Sequence, residues 1–183
     1  IAFHSYKDHV VFERSEVLTL SQTPFGVFTP YKNAWLKKMA TREDGYYLKA
    51  YPVARYAKAL AERPAALRQP VPTLAELGFE PSNLPQLKIP TGASGGDKLF
   101  AEFFERMDDY QRSRDFPAVK GPSYLSVHLR FGTVSIRRLA AAAYQRHLQG
   151  SAGASTWLGE LIWRDSYCQI SHHHPRVVQH AFK

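Results

Sequence analysis

The sequence predicts a mainly α-helical chain with a short β-containing start. Three observations carry this. From residue 96 onward, apolar residues recur at helical spacing and no segment alternates as a strand would. Before residue 21, two short apolar runs, His9–Phe12 and Val17–Leu20, read as strands. Between these regions, residues 41–95 carry Pro, Gly and scattered charge without a period. That segment reads as a long connector with a few short helical turns, wrapped over the surface of a larger body. A connector of this length usually joins two domains.

The helices follow in order. Thr29-Pro30 opens one over Tyr31–Met39, with proline in the first turn and Lys37-Lys38 at the end that favours cations. Leu99, Phe100, Phe103, Phe104 and Met107 give the period of a helix over Asp97–Gln111. Arg112–Lys120 is a polar loop, and Ser123–Phe131 is short and mixed. Ser135 can cap a helix over Ile136–Leu148 that turns Leu139, Ala142, Ala143 and Tyr144 inward. Ser151–Ser155 reads as a small-residue linker. The last helix runs over Thr156–His173 and stops before Pro175.

The 183 residues make one or two domains, and 44% hydrophobic content suffices for a packed core. A formal charge of +8 favours an anionic partner, most simply nucleic acid. Cys168 is the sole cysteine, which excludes an internal disulfide and a cysteine zinc cluster. Its place on a helix suggests a buried small hydrophobe. No run of about 18 apolar residues is present, so no membrane span is expected. No signal peptide opens the chain, and a cytoplasmic monomer is the default. The chain starts at Ile1 and stops at Lys183 in a polar, His-rich segment, and it reads as a piece of a longer protein.

Residues 157–167 hold the densest chemistry. On a helix, Trp157, Glu160, Arg164 and Tyr167 fall at steps of three and four, with Trp163 at the border of the same face. Two indoles, a carboxylate, a guanidinium and a phenol suit a flat aromatic ligand with polar edges. The plain alternative is an i, i+4 Glu160–Arg164 pair beside core tryptophans. His172-His173-His174 diverge by about 100° per residue on a helix and cannot converge on a metal, so no metal is expected. Arg137 and Arg138 read as a solvated helix face. A second cluster, Ser123 and Ser126 followed by Gly132, Thr133 and Ser135, is either a weak phosphate cradle or two ordinary helix caps.

Taken together, the two clusters resemble the DNA photolyase/cryptochrome family, and most of all its class I photolyases for cyclobutane pyrimidine dimers. The matching residues are Tyr110, Arg114-Asp-Phe-Pro117, Ser123-x-Leu-Ser126, Leu129-x-Phe-Gly132, Trp157-Leu-x-Glu-Leu-Ile-Trp-Arg164 and Tyr167. Val27-Phe-Thr-Pro-Tyr-Lys-Asn-Ala-Trp35 is similar to the stretch leaving that family's N-terminal domain. The likeness is collinear over almost the whole chain.

The resemblance implies a fold and a chemistry. Residues 1–40 would end an α/β, Rossmann-like antenna domain. Residues 41–95 would be the interdomain connector, and 96–183 the first part of an all-helical FAD-binding domain. Reduced FAD would pass an electron, on absorbing light, to a pyrimidine dimer flipped out of DNA. An antenna chromophore of folate or deazaflavin type would bind the N-terminal domain. Tyr110, Ser123, Tyr124, Leu125, Ser126 and Leu129 would hold the flavin, with Trp157, Glu160 and Arg164 along its pocket. Glu160 and Trp163 would be catalytic against the dimer. Arg114, Glu160, Trp163, Arg164 and Tyr167 would contact damaged DNA, Arg114 at a phosphate.

Two departures stand out. Family members often carry Thr-Ser-Arg-Leu-Ser where this chain has Pro122-Ser-Tyr-Leu-Ser126. Pro122 lacks a hydroxyl and an N–H, and Tyr124 replaces a cation. The resemblance therefore implies a deoxyribodipyrimidine photo-lyase activity, with the chain alone inactive and holding FAD weakly. The alternative is a cryptochrome-type blue-light receptor signalling through a protein partner. A flavin-free DNA-binding module is a third reading.

Overall fold

The computed structural model describes residues 2–42, 45–49 and 53–182. Part of the expected connector, residues 43, 44 and 50–52, lies outside the described residues. Six α-helices follow in order among the described ones: α1 (Phe28–Met39), α2 (Gly92–Arg106), α3 (Tyr110–Ser113), α4 (Ser126–Phe131), α5 (Ile136–Leu148) and α6 (Ala152–His173). The fold is helical, as the periodicity predicts.

The long helix α6 is the axis, and α1, α3 and α5 pack on it. Its buried face presents Ala154, Trp157, Leu158, Leu161, Ile162, Asp165 and Gln169 at steps of three and four. Against it lie Phe103 and Met107 of the α2 region, Leu139 and Ala143 of α5, and Tyr31, Trp35 and Met39 of α1. All share one core. Truncating a fully buried residue such as Phe103 to Ala costs about 3–5 kcal/mol.

Helix ends follow capping chemistry. Ser135 accepts a hydrogen bond from the Arg138 N–H, and Ser151 accepts one from the Ala154 N–H at 3.1 Å. The expected linker Ser151–Ser155 is in fact the cap and first turn of α6. Small residues are needed there for contact, since a Cβ on Gly153 would sit 2.3 Å from the carbonyl oxygens of Met107 and Asp108. Helix α2 begins five residues before the expected Asp97, because Gly95 and Gly96 let Pro90 and Val134 press on its first turns. It ends early, at Arg106, where Met107–Asp109 tighten into a 3₁₀ turn before α3.

The two expected N-terminal strands do not form among the described residues. Val10, Val11, Phe12 and Val17 are buried, but side chains replace the neighbouring strand. Asp165 accepts from the Val11 and Phe12 N–H groups at 3.1 and 3.2 Å. Gln169 donates to the Phe12 carbonyl at 3.1 Å, and Arg137 donates to the Asp8 and Val10 carbonyls, each at 3.1 Å. The backbone is thereby satisfied without a ladder. Leu20 is fully exposed, in a turn closed by Thr19 and Thr23.

Two further expectations are corrected. Arg137 is buried by these carbonyls instead of lying on a solvated face, while Arg138 is exposed and pairs with Asp97. Cys168 is exposed, because it falls on the outer side of α6 beside Tyr167. In the connector region, short 3₁₀ turns form at Tyr46–Leu48, Val53–Ala59, Ala65–Leu67 and Leu84–Leu87. Every residue from 53 to 83 is exposed.

Candidate functional site

Helix α6 sorts its aromatic cluster by phase. Trp157 points into the core against Phe103, with ring centroids 4.7 Å apart, and stacks on Phe100 at 6.3 Å. Glu160, Trp163 and Arg164 are half-buried, and Tyr167 is exposed. With Cys168 and Ser171 these four line one open depression of about 610 Å³. The structure thus brings four of the five predicted α6 residues together and assigns Trp157 to packing.

The charged pair differs from the one the spacing suggests. Glu160 does not pair with Arg164 one turn on. It forms an ion pair with Arg114, which follows α3 and also lies 3.4 Å from Asp115. The Arg114 guanidinium sits over the Tyr110 ring, 5.5 Å from its centroid, an arrangement that favours a cation. Burial, reinforced by the Glu160 charge, pushes the Tyr110 phenol above its ordinary range. Arg164 turns instead to the N-terminal segment. It donates to the His9 carbonyl, meets His9 Nδ1 at 3.0 Å and reaches the Leu129 carbonyl at 3.4 Å.

The residues expected to hold flavin lie on the loop that enters α4. Arg106 fixes this loop by donating to the Lys120 and Pro122 carbonyls, both at 2.8 Å. Ser123 accepts from the Leu125 N–H at 3.4 Å. Tyr124 is exposed and has a positive φ of 57°, which costs energy for a side chain of its size. Leu125 is fully buried and serves the core. Ser126 is exposed at the first position of α4, and Leu129 is half-buried. The N-cap residue Leu125 offers no side-chain acceptor, so the first-turn N–H groups of α4 are uncapped.

Three residues escape the sequence reading. Phe28 stacks on Trp163 with centroids 3.6 Å apart and planes 8° from parallel. His9 meets Arg164. Asp165 is buried on the far side of α6, where it also accepts from Trp35 Nε1 at 3.1 Å. Burial outweighs these donors and raises its carboxyl to about 6. A carboxylate in the buried phase of α6 is the signal that could have found it. Among the described residues no cluster of ligating side chains could hold a metal, and no helix is long and apolar enough to cross a membrane.

No protein-family model matches the chain. Curated proteins do. It is 32% identical over 98% of its length to the deoxyribodipyrimidine photo-lyase of Escherichia coli, and 33% identical over 91% to that of Vibrio cholerae. The Salmonella typhimurium enzyme of the same name is 34% identical over 96%. The chain is a relative of the deoxyribodipyrimidine photolyases. It spans about a third of the length of these photolyases, 36%, 34% and 36% respectively. The fold agrees: a bacterial class III photolyase from Agrobacterium tumefaciens superposes with a TM-score of 0.62 at 20% identity, covering 94% of this chain and 35% of that one.

Proposed function

We propose that this chain forms part of a light-driven enzyme that repairs cyclobutane pyrimidine dimers in DNA. The observation that carries the reading is the α6 depression. In a chain that aligns along nearly its whole length with photolyases, Glu160 and Trp163 stand side by side at an open surface. The photolyase relatives favour repair over the signalling alternative.

The donor set fits a flavin nucleotide. The exposed Ser126 hydroxyl and the half-buried Ser123 hydroxyl can donate to a phosphate. The Arg106 clamp on the Pro122 carbonyl fixes the loop that carries them. Tyr110, Ser123, Tyr124, Ser126 and Leu129 would border the group, and Leu125 would hold the loop from beneath. Bound FAD would supply the light-driven electron.

The protein's own residues act on the DNA. The charge of +8 attracts the phosphate backbone. Trp163 and Tyr167 offer ring edges to a flipped-out pyrimidine dimer, and Glu160 offers a hydrogen bond to a pyrimidine edge. Arg114 holds the Glu160 carboxylate in place and can move to a phosphate once DNA arrives. Residues 1–40, 41–95 and 96–183 would then be the end of an antenna domain, the connector and the start of the flavin domain.

The test, on the complete protein of which this chain is part, is recovery of intact thymine from an oligonucleotide with one thymine dimer, in blue light and in darkness, with FAD supplied reduced. Light-dependent recovery that drops in Glu160→Ala supports the reading. Equal recovery in light and darkness by a protein that binds and photoreduces FAD overturns it.

A further inference from the structure

Trp163 has one face already covered. Phe28, the first residue of α1, lies nearly parallel on the indole at 3.6 Å between centroids. Tyr167, one turn further along α6, adds a second stack at 5.4 Å and 24°. A half-exposed tryptophan on a helix surface has several staggered rotamers open to it. A flat ring against one face removes most of that freedom.

Phe28 can do this because it is itself held. Tyr31, Trp35 and Met39 bury α1 in the core, each about 1–2% exposed. The Trp35 indole is further tied to Asp165 of α6. Phe28 therefore stands at the end of a helix docked on the same α6 that carries Trp163. Packing alone would be satisfied by any apolar side chain; a parallel ring stack adds orientation.

We infer that Phe28 is a positioning residue for the α6 depression, one that fixes the plane of Trp163 and with it the ring edge presented to an incoming pyrimidine dimer. The inference rests on the repair reading above. Phe28 touches no reacting group and acts through Trp163. Substitutions that remove the ring therefore loosen the indole and weaken discrimination for damaged DNA, without altering the general attraction to phosphate.

The experiment measures the affinity of the full chain for an oligonucleotide with one thymine dimer and for its undamaged counterpart. Wild type, Phe28→Leu, Phe28→Tyr, Trp163→Ala and the double variant Phe28→Leu/Trp163→Ala are compared. Leucine keeps apolar volume for folding, which near-ultraviolet circular dichroism checks. Phe28→Leu should bind the dimer oligonucleotide about threefold to tenfold more weakly, the range of an aromatic pair. Phe28→Tyr should match wild type, binding to undamaged DNA should not change, and the loss should vanish in the Trp163→Ala background. A folded Phe28→Leu with wild-type affinity, or a loss of equal size without Trp163, overturns the inference alone. Wild type that binds both oligonucleotides equally overturns the repair reading, and this inference with it.

Discussion

Asp165 and Trp35 are joined by a buried hydrogen bond of 3.1 Å across 130 residues of sequence. The same carboxylate oxygen accepts from the N–H groups of Val11 and Phe12. One side chain of α6 therefore fastens both α1 and the N-terminal segment.

Removing that acceptor should be costly. Asp165→Ala leaves three buried donors without a partner, and each orphaned donor costs about 1–3 kcal/mol. Urea denaturation should show a loss of at least about 3 kcal/mol. Asp165→Asn keeps one acceptor oxygen and should lose less.

The same residue sets a pH dependence. Its carboxyl is raised from 3.8 to about 6 in the folded chain, chiefly by burial, with Arg164 opposing and Tyr31 and Cys168 the other titratable groups facing it. The folded state then binds more protons than the unfolded state between these values. Stability from this group is present below about pH 4 and is lost as pH rises through about 6. Relative to Asp165→Asn, wild type should lose on the order of 3 kcal/mol over that window. Chemical denaturation of both chains at pH 4, 5, 6 and 7 checks the sign.

Neighbouring arginines on α5 should behave oppositely. Arg137→Met strips two buried carbonyls of a charged donor and should cost about 3 kcal/mol. Arg138→Ala removes an exposed pair with Asp97 and should stay within about 1 kcal/mol. Thermal unfolding of the two variants separates them.

The first turn of α6 should not tolerate bulk. Gly153→Ala would drive a methyl group against the carbonyls of Met107 and Asp108. A cost of about 1–3 kcal/mol is expected from overpacking, whereas Ala152→Ser on the exposed side should be neutral. Denaturation midpoints distinguish the two.

At the depression, Glu160→Ala in the complete protein should lower light-dependent dimer recovery about a hundredfold to a thousandfold, the range for losing one preorganised polar contact. Glu160→Gln should retain part of the activity, since an amide still hydrogen-bonds a pyrimidine edge. Initial rates of thymine recovery under fixed illumination give both numbers.

Much of this architecture was legible before any coordinates. The helix at Ile136–Leu148 and its Ser135 cap could be read from one hydroxyl and an apolar period. Residues 151–155 could not, because small side chains mark a flexible linker and a tight helix contact alike. The apolar run at residues 9–12 announced a buried extended backbone, yet nothing local shows that its hydrogen-bond partners come from α5 and α6. At the site, helical spacing gathered Glu160, Trp163, Arg164 and Tyr167 at one depression, but it placed Trp157 on the same face, whereas that indole packs in the core. It could not choose between Arg164, four residues away, and Arg114, 46 residues away, as the partner of Glu160, because that choice is made by how α3 docks. Phe28 was hidden for the same reason.

The side chains that replace a strand ladder also impose an order on synthesis. Residues 8–12 leave the ribosome long before their partners, Arg137, Asp165 and Gln169, which lie 127 to 157 residues later. At ordinary translation speeds that interval lasts roughly six to thirty seconds. Throughout it, Phe12 can meet Trp35 and Tyr47 but the backbone of Val11 and Phe12 lacks its α6 acceptor and donor, so a segment made early is among the last to be fully seated.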